Sequence, residues 1–147
     1  MNLKSFLAKD RIRPHKTSRP EISDLLRIVE RDLTDASIPQ LSTDRRFATA
    51  YNAALQLATL AMYAEGYKPT GLGHHWVTFK LLPELMGNEF ESLAGYFDLC
   101  RSKRNLTDYD RSGEISQSET AELIEEAANF QGKVLEWLKA KHPELLA

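Results

Sequence analysis

The chain has 147 residues, a formal net charge of −2, 42% hydrophobic residues and a single cysteine, Cys100. That length suits one domain large enough to bury well over half of the surface its unfolded form exposes, with no disulfide or metal needed to hold it. One cysteine excludes an intramolecular disulfide and a cysteine-built zinc cage, which points to a reducing compartment, the cytoplasm.

The first twenty residues form a basic N-terminal arm, with Lys4, Lys9, Arg11, Arg13, Lys16 and Arg19 against only Asp10. Its apolar patch of Leu3, Phe6, Leu7 and Ala8 is too short for a signal-peptide core, and no window of the chain approaches a membrane span. A solvated tail accounts for such an arm; so does contact with phosphate or with a second copy whose acidic end, residues 106 to 147 at −5, is complementary. From residue 21 to 147 a single helical domain is expected. Ile22, Leu25, Leu26, Val29 and Leu33 recur at helical spacing, so a helix runs from about Glu21 to Ala36, and Pro39 follows it. A long second helix starts near the capping residues Ser42 and Thr43, with Phe47, Tyr51, Ala54, Leu55, Ala58, Ala61 and Met62 on one face. The connection GYKPTGLG leads to a shorter helix, from His74 or His75 to about Met86, which Pro83 is expected to bend or end.

A fourth helix runs from about Asn88 to Tyr109 and a fifth from about Gln117 to Lys141, the latter with Leu123, Ala127, Phe130, Val134, Trp137 and Leu138 as its apolar face. No strand pattern, repeat or low-complexity tract stands out. The fold class is therefore all-α, an up-and-down bundle of four to five helices.

The fourth helix changes character along one face. Alternating steps of four and three from Phe90 give Ala94, Phe97, Arg101, Arg104 and Asp108, a heptad-like seam with Asn105 beside it. The apolar half faces a core, so the polar half must find partners, because a buried polar group without one costs about 1–3 kcal/mol. Arg101 or Arg104 could pair with Asp108 or with a glutamate of the last helix. Two guanidinium forks and an amide also suit phosphate oxygens.

The stretch YFDLCRSKRNLTDYD, with Arg104 and Asn105 late in a long helix, resembles the signature helix of the HEPN domain family. The preceding AEG and GYKPTGLGHHWVTF are similar to the connector and short helix of a prokaryotic branch of it, so the resemblance covers about residues 42 to 138. It implies a homodimer with facing signature helices, a metal-independent ribonuclease site in active members, and in many cases a toxin neutralised by a small nucleotidyltransferase partner. Arg104 matches the signature arginine and Asn105 the polar residue that often follows it. The signature histidine, which follows after four to six intervening residues, is absent: Tyr109, Asp110 and Arg111 stand there, with Tyr109 in the histidine's place. A phenol with a reference pKa of about 10 is a poor base at neutral pH, though it still donates a hydrogen bond. RNA or nucleotide binding, or complex formation, through Arg101, Arg104, Asn105, Asp108 and Tyr109 is the expectation, with no cofactor required; active ribonuclease is the alternative.

Adjacent His74 and His75 diverge by about 100° on a helix and do not readily ligate one metal. They are expected at a helix start, in packing or in ligand contact. His15 and His142 have no partner at ligand spacing. Cys100 next to Arg101 is either a core residue or an activated thiol. Trp76 and Trp137 are expected as core or interface aromatics.

A third reading comes from DYDRSGEISQSE, where Asp108, Asp110, Ser112, the Glu114 carbonyl, Ser116 and Glu119 follow an EF-hand calcium loop. Bases at Arg101, Lys103 and Arg104 stand close to that loop, and no second loop exists to pair with it. A turn followed by a capping box, Ser116 with Glu119, explains the same residues.

Overall fold

The computed structural model of the chain describes residues 2–71, 73–109 and 115–146, the side chains of residues 106–109 excepted. The described residues form an all-α fold of α1 (Leu3–Ala8), α2 (Arg19–Ala36), α3 (Thr43–Ala64), α4 (His74–Met86), α5 (Glu91–Tyr109) and α6 (Gln117–Lys141). Single 3-10 turns at Asn88–Phe90 and Pro143–Leu145 precede α5 and follow α6. No described helix is long and apolar enough to cross a membrane.

Local chemistry sets the helix ends. The Ser18 and Ser42 hydroxyls accept the backbone N–H groups of Glu21 and Arg45, each 3.3 Å away, satisfying donors that the first turns of α2 and α3 leave open. Ser116 and Glu119 form the expected capping box at the start of α6. At the other end of α4, Gly87 takes φ 127, where side chains are strained, and closes the helix.

Helix α4 continues through Pro83 to its expected end at Met86, so the proline does not itself end the helix. The last turn survives because the Pro83 carbonyl still accepts the Gly87 N–H at 2.8 Å, so the missing donor of the ring costs one bond rather than the helix.

Helix α3 is the pillar of the molecule. It packs against α2, α4, α5 and α6, and besides the expected stripe it buries Ala50, Ala53, Leu57 and Leu60. A helix apolar on nearly every side is an interior helix, and the many alanines let its neighbours approach closely. The interface of α2 with α3 includes a buried carboxylate, Asp32, which accepts from Asn52 Nδ2 at 2.6 Å and from Arg31 Nη2 at 3.0 Å. Those two donors offset the desolvation of the charge.

The first twenty residues pack on the bundle rather than extending from it. Phe6 and Ile12 are 0% and 1% exposed in the common core, and the Leu3 N–H reaches Glu84 Oε2 at 2.8 Å. Contrary to the reading without strands, residues Ile12–Pro14 (β1) and Tyr67–Pro69 (β2) form a two-stranded antiparallel ribbon. Three-residue strands are too short for a period-two signal, and both end at a proline that lacks a ladder donor.

Candidate functional site

The seam on α5 behaves as two halves. Phe90, Ala94 and Phe97 are buried, with Phe97 5.3 Å from the Phe130 ring of α6 and 5.7 Å from Phe79 of α4. One turn further, where the face becomes cationic, α3 supplies Tyr51 as the next ring, 5.9 Å from Phe79. The Arg104 guanidinium lies over that ring, 5.4 Å from its centroid, a cation–π arrangement. The Tyr51 hydroxyl hydrogen-bonds to Nδ1 of His75 at 3.1 Å, and the His74 ring stands edge-on to His75 at 4.4 Å.

Four predicted residues and one unpredicted residue thus lie near one another at the junction of α3, α4 and α5: Arg104 and His75 contact Tyr51, His74 stands against His75, and Tyr51 and His75 both feel the charge of Arg101. Arg101 Nε donates to Asp98 Oδ1 at 2.8 Å, one turn before it, which orients its fork. The glutamate of α6 that could have reached an arginine, Glu119, pairs instead with Lys103. Asn105 is exposed at the edge of the same helix. Only the backbone of Asp108 and Tyr109 is described, and both end α5; Asp110, Ser112 and Glu114 of the calcium pattern lie outside the described residues. The described remainder of that pattern, Ser116 and Glu119, is occupied by the cap of α6, and Lys103 followed by the Ser116 N–H holds the Glu119 carboxyl down at about 2. Among the described residues no group of three or more metal-ligating side chains converges.

Burial sets the protonation of the cluster. It pushes the Tyr51 phenol above its ordinary value, with Arg104 and Arg101 pulling the other way, so the hydroxyl stays protonated. It also lowers His75 to about 4, helped by the charges of His74, Arg104 and Arg101, so the imidazole is neutral at pH 7. Two hydrogen-bonded states of the pair follow. Either Tyr51 donates to Nδ1 and the His75 proton sits on Nε2, or Nδ1–H donates to Tyr51 and the Nε2 lone pair is open. Cys100, by contrast, is a core residue: burial pushes its thiol up to about 11 despite Lys103 nearby.

The missed residue is Tyr51. Its sequence signal was only an aromatic in an Ala-rich stripe, and nothing local to it announces a partner 24 residues later. Next to the cluster, a groove of about 660 Å³ opens between α4 and α5, bordered by Trp76 and Lys80 and by three carboxylates, Glu84, Glu91 and the arginine's partner Asp98. The cluster offers guanidinium groups, a phenol and a neutral imidazole close together, donors for an oxyanion, with the Trp76 ring on the neighbouring groove.

No family model matches the chain, and comparison with curated proteins and with solved structures returned no match.

Proposed function

We propose that the chain is a HEPN-like protein of the cytoplasm that binds RNA or a nucleotide by a phosphate, working as a homodimer in a toxin–antitoxin type system with a small nucleotidyltransferase as its partner. One observation supports this reading above others: Arg104, expected from the seam, lies on Tyr51, the partner of the neutral His75, and the charge of Arg101 reaches both. Phosphate oxygens accept from both guanidinium forks and from the imidazole N–H when Nε2 carries the proton. The groove beside Asp98 has the volume for a base next to Trp76.

Labelled RNA titrated into wild type, Arg104→Ala and Arg104→Lys tests this. A charge-assisted bond to phosphate is worth about 1.5–3 kcal/mol, so the alanine variant weakens binding roughly 10- to 100-fold. Lysine restores only part of it, because a point charge does not replace a planar fork lying on a ring. Unchanged affinity in both variants would remove the phosphate role. Light scattering tests the homodimer, and a strict monomer at micromolar concentration counts against it.

A second reading, metal-independent ribonuclease, is favoured by His75, a histidine from outside α5 that joins the arginines through Tyr51. It is a weak base, since its pKa of about 4 lies well below neutral pH. Binding is therefore the primary reading. RNA cleavage in the presence of EDTA, abolished by His75→Ala, would reverse that order.

A further inference from the structure

A second cationic feature lies outside the cluster, on the ribbon. Its register places Arg13 directly opposite Lys68, and opposite residues of an antiparallel pair share a face, so two positive charges stand side by side. Like charges in that place destabilise a ribbon. The fold does not relieve them: among the described residues no carboxylate is in ion-pair range of either. Glu21, the acid that feels the charge of Lys68, is held by His15 at 2.6 Å and Thr17 at 2.7 Å. Nor can the ribbon turn its basic face away, because Ile12, which precedes Arg13 and pairs with Pro69, is anchored in the core at 1% exposure.

From the ribbon the charge continues toward the cluster. The Arg11 guanidinium lies 5.5 Å from the Trp76 ring and 6.0 Å from Phe6, and a Cβ on Gly73 would come within 3.3 Å of its Nη2. Gly73, at φ 76, precedes α4, whose first turn has no side-chain cap. His74 and His75 come next, then Tyr51 and Arg104. Arg13 with Lys68, Arg11, the start of α4 and the cluster thus follow one another through chain adjacency and contact, as a row of neighbours.

We propose that this row carries successive phosphates of a single-stranded RNA, leading the strand from the ribbon into the Tyr51–His75–Arg104 cluster. The proposal rests on the phosphate reading above and extends it from one nucleotide to a strand. Half-buried Trp76 carries Arg11 over its ring and keeps an exposed part on the groove, where an unpaired base reaches it and the interior of a duplex does not. A membrane surface fits less well, since the large apolar side chains exposed among the described residues, Ile38 and Leu99, are not on the ribbon and nothing there can insert.

The informative variant is Arg13→Glu. It places an acid opposite Lys68, so the ribbon keeps or gains stability and a lost activity cannot be blamed on unfolding. Fluorescence anisotropy is measured with a labelled single strand of about 12 nucleotides and with a nucleoside monophosphate. The salt range is about 50 to 200 mM. Expected are a strand affinity about 10-fold weaker, a log K against log salt slope shallower by about 0.7, and monophosphate binding unchanged. If wild-type and variant bind the strand equally with one slope, while Arg104→Ala still weakens the monophosphate, the row is wrong and the cluster reading survives. Equal loss of strand and monophosphate would place Arg13 in the cluster and also overturn the row. Binding of neither ligand by wild type sinks both readings. Loss confined to phosphatidylserine vesicles, with RNA binding intact, overturns the row in favour of a membrane surface.

Discussion

Tyr51→Phe removes one oxygen from the centre of the cluster and leaves the ring in place. That ring is 1% exposed, 5.9 Å from Phe79 and beneath Arg104, and phenylalanine keeps both contacts. What disappears is the 3.1 Å hydrogen bond to His75 Nδ1. A typical bond of this kind contributes about 0.5–1.5 kcal/mol net. His75 is only half-buried and water can replace the lost partner, so the lower part of the range applies, about 0.5–1 kcal/mol. Tyr51→Ala, in contrast, removes the whole ring and leaves a cavity, with a loss of about 3–5 kcal/mol. Urea denaturation separates the two, and the m-value of the phenylalanine variant stays at that of wild type. A double-mutant cycle with His75→Ala isolates the pair, with an expected coupling of about 0.5–1 kcal/mol. Zero coupling, or a phenylalanine variant as unstable as the alanine one, refutes the reasoning, because the hydroxyl would then not be holding the imidazole.

The remaining predictions concern titration, reactivity and cations. His75 has a folded pKa of about 4 against an ordinary 6.5, so in that interval the unfolded chain binds a proton that the folded one does not, and stability falls as pH drops from 6.5 toward 4. Thermal melts across this range should show that loss, His75→Gln should remove it, and an NMR titration of His75 should have its midpoint near 4. Glu119, lowered from 4.5 to about 2, gives stability that is fully present above 4.5 and is lost progressively as pH falls from there through about 2, so this loss, at lower pH than that of His75, persists in the His75→Gln variant. With its thiol pushed up to about 11 and buried, Cys100 should resist a thiol reagent at neutral pH until denaturant is added; rapid native labelling would contradict its place in the core. Millimolar calcium should leave the melting temperature unchanged, because Glu119 is taken by Lys103 and Ser116, and a rise of several degrees would restore the calcium-loop reading.

Much of the architecture was legible before any coordinates. The five principal helices begin and end within about three residues of their expected bounds, because apolar periodicity and capping are properties of short windows of chain. The capping box at Ser116 and Glu119 and the change of character along α5 belong to the same local class of information. Helix α1 and the ribbon escaped because six and three residues are too few for a period to show. The burial of the basic segment escaped because its charges outnumber the two side chains, Phe6 and Ile12, that anchor it.

Sequence alone thus settled that the chain is helical, where its helices lie, and that the second half of α5 turns arginines toward something. Which groups they meet was decided by packing. Arg104 faces a ring 53 positions away, Tyr51 meets His75 across 24 positions, and Arg13 stands opposite Lys68 because two loops converge. Such pairings have no local signature: they exist only once the apolar face of each helix has found α3, and the position of every polar group follows from that choice.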